Sequence, residues 1–110
     1  MSFWGENTVH MWVNMNGTGT PAARDSYGLS SISDNGTGDY SFNFSTNTAN
    51  NDYCVLGGNV GATSSYHSTP FAYGSYQLST SSARTKTPAM SSLNTMQDTD
   101  VIHLCVITDN

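Results

Sequence analysis

Three observations predict an all-β fold, an antiparallel β-sandwich or open barrel of short strands. Several short runs alternate apolar and polar residues with period two, the repeat that places one face of a strand against a core. Clusters of Gly, Asn, Asp, Ser and Thr separate those runs at near-regular spacing. No amphipathic stretch reaches a useful helical length, and the chain has neither an internal repeat nor a coiled-coil heptad.

The best-formed element is a hairpin over Gly28–Ser45. Leu29 and Ile32 lie among serines on its first arm. On its second arm Tyr40, Phe42 and Phe44 alternate with Ser41, Asn43 and Ser45, so the three aromatics share one face and need a cover. Between the arms, Asp34–Asp39 supplies an Asn-Gly pair and a second glycine, chemistry suited to a bulged or slightly longer hairpin loop.

The remaining elements follow in chain order. Val9–Met15 alternates, with Val9, Met11, Val13 and Met15 predicted on one face and His10, Trp12 and Asn14 on the other. Asn16–Pro21 breaks that strand, since its glycines turn and Pro21 lacks a ladder donor. Ala22–Leu29 reads as a short extended lead into the hairpin, and Thr46–Asp52 as a polar loop. Tyr53–Leu56 is a continuous apolar run expected to be buried on both faces and ended by Gly57-Gly58. Asn59–Tyr73 is rich in Ser, Thr and Gly and long for a loop, which suggests ordering by contacts outside the monomer. Ser75–Thr80 is a weak strand. Ala83–Thr87 reads as an edge strand whose cations discourage edge pairing. Pro88–Asp100 reads as loop, with one helical turn at Met90, Leu93 and Met96. Val101–Thr108 is the strongest strand and, apolar on both faces, is expected to be central and doubly covered. The hairpin aromatics then find their cover in Val101–Ile107 and Tyr53–Leu56.

Composition narrows the function classes. Charged residues are only 10% of the chain, with Ser, Thr and Asn in their place, which suits a β-protein with a weakly charged, hydroxyl-rich surface. Aromatics at 11% argue against disorder. Three cations against eight carboxylates give a net charge of −5, which excludes a nucleic-acid footprint and disfavours anionic membrane surfaces. No apolar run is long enough for membrane insertion as a helix. MSFWGENTVH has no basic n-region and no apolar h-region, so the expectation is synthesis in the cytoplasm without signal-peptide export. Cys54 and Cys105 then read as buried free thiols, with a sandwich-spanning disulfide as the minority reading.

Residues that carry chemistry are scattered. His10, His67 and His103 have no metal-ligand spacing and read as ordinary strand or loop histidines. In a threefold oligomer a single histidine near the axis becomes a ring of three able to hold an ion. No serine sits in a nucleophile elbow. Asp34/Asp39 and Asp98/Asp100 read as solvated turn carboxylates rather than paired acids. No catalytic or metal residue and no cofactor is assigned, and the chain reads as a non-enzyme. The interface or ligand-contact candidates are Phe3, Trp4, Trp12, Tyr66, Phe71, Tyr73 and Tyr76; the last four suit a sugar or protein surface, with packing onto the sandwich or across a subunit boundary as the favoured reading.

Trp12–Thr20 (WVNMNGTGT), Arg24-Asp25-Ser26 and Ser30–Phe44 (SSISDNGTGDYSFNF) together resemble a β-module of tailed-bacteriophage virion proteins. That module has the form WVNF(N/D)GTGT, R-x-S, then SSITDNGTGDYTVNF, and occurs in tail-fibre and other virion-surface chains. Asp52–Val55 resembles its next strand and Val101–Ile107 its closing strand. Met15 stands where Phe is usual, and Pro21-Ala22-Ala23 where a Val-Ala-Ile-like strand is common. The resemblance implies a non-enzymatic structural module on a virion surface and brings no catalytic residues. The first expectation is a capsid decoration or cement protein, a homo-oligomer with trimer favoured, partnered by the major capsid protein. In that reading residues 1–8, with Phe3 and Trp4, form an arm that packs on a neighbour, and 9–110 form a single domain. The second is a tail-fibre or tail-tip component that binds a host-surface glycan through Tyr66, Phe71, Tyr73 and Tyr76.

Overall fold

Tyr40, Phe42 and Phe44 do share one face, and that face is the centre of the core. The structure, a computed structural model, describes residues 8–60, 68–70, 77–89, 92–96, 98–99 and 101–108. The described residues are all strand, turn and loop. In chain order the strands are β1 (Thr8–Asn16), β2 (Ala22–Tyr27), β3 (Leu29–Gly36), β4 (Asp39–Phe44), β5 (Cys54–Val60), β6 (Ser68–Pro70), β7 (Gln77–Leu78), β8 (Ser82–Lys86), β9 (Pro88–Ala89), β10 (Ser92–Met96) and β11 (Val101–Thr108). The first sheet has the order β2-β1-β11-β5-β6 and the second β3-β4-β8-β7, while β9 and β10 form a small separate pair. Every pairing is antiparallel, and the two sheets pack as a sandwich.

Alternation builds the core. From the first sheet come Met11, Val13 and Met15 of β1 and Ile102, Leu104 and Val106 of β11. From the second come Tyr40, Phe42 and Phe44 of β4 and Ala83 of β8. Tyr53 closes one side, with its ring edge-on to Phe44 at 5.8 Å. Burial of each large apolar side chain here contributes roughly 1.5–3 kcal/mol. At the opposite end the backbone comes close. A Cβ on Gly17 would stand 2.7 Å from Ile102 Cδ1 and 2.9 Å from Tyr40 Oη, so only glycine fits.

The chain changes sheets at Gly28. Strand β2 edges the first sheet and β3 edges the second, and Gly28 between them has φ 73°. A Cβ there would run into the His10 carbonyl. The hairpin of β3 and β4 turns at Thr37-Gly38, with Gly36 at φ 136°, Gly38 at φ 64° and a register shift between Asp34 and Gly36. This is the bulged loop that its sequence predicts.

Several strands differ from their sequence reading. The register slips between Val9 and Met11, so His10 is a bulge. Val9 is thereby turned outward, 42% exposed, and the His10 ring packs edge-on to Phe44 at 5.3 Å. Strand β5 does not stop at Gly57-Gly58. It runs to Val60, because Gly57 and Gly58 pair with Leu104 and His103 of β11. It is also buried on one face only, since Cys54 and Leu56 are exposed. Strand β8 is not an edge: it lies between β4 and β7, and Arg84 is held there by Asp39. Leu93 and Met96 lie in β10, which pairs with β9, in place of a helical turn, and Met90 lies outside the described residues. Strand β11 is central as expected, but His103 on its outer face is exposed and Cys105 is half-buried, so only its inner face is fully covered. Both cysteines are free thiols, yet neither is buried as expected.

Candidate functional site

The ladder registers assemble a row that no single strand shows. Tyr27 of β2 pairs with Trp12 of β1, Trp12 with Cys105 of β11, and Cys105 with Leu56 of β5. All four side chains stand on the outer face of the first sheet. Tyr27 is 58% exposed, Leu56 52% and Trp12 37%, while Cys105 is half-buried between its neighbours. The adjoining row, Val9–Ile107–Cys54, is also uncharged. On the other side lie Asp25, Asn14 and His103, which give the apolar band a polar border. Trp12, Leu56, Cys105 and His103 surround a shallow depression of about 500 Å³. Burial raises the Cys105 thiol above its ordinary pKa, and the nearby Cys54 adds to the rise.

The outer face of the second sheet is of opposite character. Asn43 Nδ2 donates to Ser31 Oγ and Ser33 Oγ, both at 3.0 Å, and Asn35 Nδ2 donates to Ser41 Oγ at 2.9 Å. Arg84 forms a two-point ion pair with Asp39, Nε to Oδ1 at 2.9 Å and Nη2 to Oδ2 at 2.8 Å. The hydrogen bonds from Arg84 hold the Asp39 carboxyl below its ordinary pKa. Asp39 is therefore buried and paired, where its sequence context reads as a solvated turn. Asp98 is also engaged: its Oδ1 accepts from the Gly38 amide and from Tyr40 Oη, each at 2.7 Å. These two carboxylates fasten turns. Among the described residues no group of three or more His, Cys, Asp or Glu is placed to hold a metal ion.

Of the predicted contact residues, the structure places Trp12 on the apolar row. Phe3, Trp4, Tyr66, Phe71, Tyr73 and Tyr76 lie outside the described residues, as does most of the proposed arm, while Thr8 opens β1. Tyr27 and Leu56 were missed. Tyr27 sits in a polar segment, and Leu56 in a run that reads as doubly buried. Only the cross-strand register brings them beside Trp12.

Family models, curated proteins and solved structures were compared with the chain, and none of them matches it.

Proposed function

We propose that this chain is a non-enzymatic structural protein of a tailed-phage virion, a capsid decoration or cement protein that assembles as a homo-oligomer, trimer favoured. The class comes from the resemblance over Trp12–Ser45 and the two later strands. The observation that carries the assembly claim is the contrast between the two outer faces. An antiparallel sandwich normally solvates both. Here the second sheet does so with serines, asparagines and an ion pair, whereas the first exposes Tyr27, Trp12 and Leu56 in one row. Aromatic residues without charge are the signature of an interface core, and the Asp25–Asn14–His103 border matches a polar rim.

The mechanism is mechanical. A protein that buries surface across a junction between capsid subunits binds only the assembled lattice and stabilises it by mass action. Quantitative protein analysis of purified virions tests the function. A copy number comparable with that of the major capsid protein is expected. A copy number matching tail proteins would move the chain to the tail, and absence from the particle would end the virion reading.

A further inference from the structure

The end of the sandwich where the chain crosses between sheets holds a second feature. A cleft of about 570 Å³ opens there, inside the ~300–1,000 Å³ range of small-molecule sites. One wall is Tyr27 and Gly28, and the opposite wall is the loop after β4. His10, Tyr27, Ser45, Thr46, Asn47 and Thr108 are among its polar lining.

The geometry of the cleft is fixed by its backbone. The bulge at His10 brings that side chain to the inner side of the strand, against Phe44. Its Nε2 lies 2.7 Å from the Thr46 carbonyl oxygen. A carbonyl only accepts, so Nε2 carries a proton and the ring is held by it. The Ser45 amide donates to the Gly28 carbonyl at 2.9 Å and ties the two walls together. Thr48 is buried, and its hydroxyl donates to the Asn50 carbonyl at 2.7 Å, which anchors the far side of the loop.

We infer that this cleft binds a neutral saccharide. Its described lining contains hydroxyls, a carboxamide and an imidazole, and no Asp, Glu, Lys or Arg. Such groups exchange hydrogen bonds with sugar hydroxyls and offer no counter-charge to an ionic ligand. Tyr27 lines the cleft and is more than half exposed, and the electron-rich face of a tyrosine ring is a surface on which the C–H face of a pyranose stacks. Tyr27 also ends the apolar row, so a bound sugar lies at the edge of the assembly face. The described lining of the cleft comes from one chain, and the inference stands independently of the oligomer.

Saturation-transfer NMR and amide chemical-shift mapping on the intact protein test it. The probes are methyl α-glucoside, methyl α-mannoside and N-acetylglucosamine, with N-acetylneuraminic acid as the anionic comparison. A neutral sugar is expected to receive saturation and to shift the Gly28, Ser45 and Asn47 amides. Tyr27→Ala is expected to weaken binding about tenfold, with Tyr27→Phe close to wild type. Asn47→Ala weakens it as well, and Thr37→Ala, exposed at the β3–β4 turn and outside the cleft, leaves it unchanged. Circular dichroism verifies that each variant is folded. No transfer to any of the three neutral sugars overturns the inference. So does transfer that survives both Tyr27→Ala and Asn47→Ala, or a clear preference for the anionic sugar.

Discussion

Asp39 and Arg84 meet diagonally across neighbouring strands: the ladder pairs Asp39 with Lys86 and Arg84 with Ser41, yet the guanidinium reaches back to grip both carboxylate oxygens. The pair pins the start of β4 to β8 beside the hairpin turn. A carboxyl whose folded pKa is depressed adds stability above its unfolded pKa, about 4, and loses it as pH falls through the folded value. Urea midpoints are therefore expected to decline from about pH 4 downward. Asp39→Asn should flatten that decline and lower the midpoint at pH 7. A wild-type midpoint that stays level through this window would remove the pair from the stability account.

Tyr40, the next residue, fastens the same end of β4 from its core face. Its hydroxyl lies 2.7 Å from both the Gly17 carbonyl and Asp98 Oδ1, and burial raises its pKa above the ordinary tyrosine range. Tyr40→Phe keeps the ring in the core and deletes only the oxygen. Gly17 O and Asp98 then lose a buried donor, so a loss of about 1–3 kcal/mol is expected in chemical denaturation. A neutral result would mean that water replaces the hydroxyl.

Gly28 is where the chain leaves one sheet for the other. At φ 73° any other L-residue bears a strain of about 1–2 kcal/mol, and a Cβ also strikes the His10 carbonyl. Gly28→Ala is expected to lower the melting temperature more than Gly19→Ala. Gly19 has a similar φ of 65°, but a Cβ there meets nothing within 4 Å. Equal shifts for the two variants would show that the crossing is not tightly held.

Alkaline stability offers an independent check on the core. Burial pushes the Tyr53 hydroxyl up to about 12, while it donates to the Ser79 and Ser82 carbonyls at 2.8 and 3.0 Å. A raised pKa stabilises the fold below the unfolded value, near 10, and that contribution is lost as pH rises from there through about 12. Far-ultraviolet signal should hold to about pH 10 and fall beyond it. Tyr53→Phe is expected to reduce this pH dependence.

The hairpin was legible in the sequence because its pattern is local. Alternation of Tyr40, Phe42 and Phe44, together with Asn35-Gly36 and Gly38, fixed both faces and the turn. The central place of Val101–Thr108 was legible for the same reason. What failed needed neighbours. A bulge at His10 leaves no trace in a period-two pattern, so Val9 read as core. The Gly57-Gly58 pair read as a stop because glycine lacks strand preference, whereas pairing with β11 carries β5 past it. The candidate face was the least legible part. Tyr27, Trp12, Cys105 and Leu56 come from four separate segments, and only the register aligns them.

The claim that this face joins copies of the chain is tested most directly by sedimentation of the purified protein across a range of concentrations, wild type beside Leu56→Lys. Leu56 is half exposed, so the lysine leaves the monomer folded while setting a charge at the β5 end of the apolar row. A homo-oligomer, trimer favoured, is expected for the wild type and a monomer for the variant. A wild type that sediments as a monomer throughout, or an oligomer indifferent to Leu56→Lys, would contradict it.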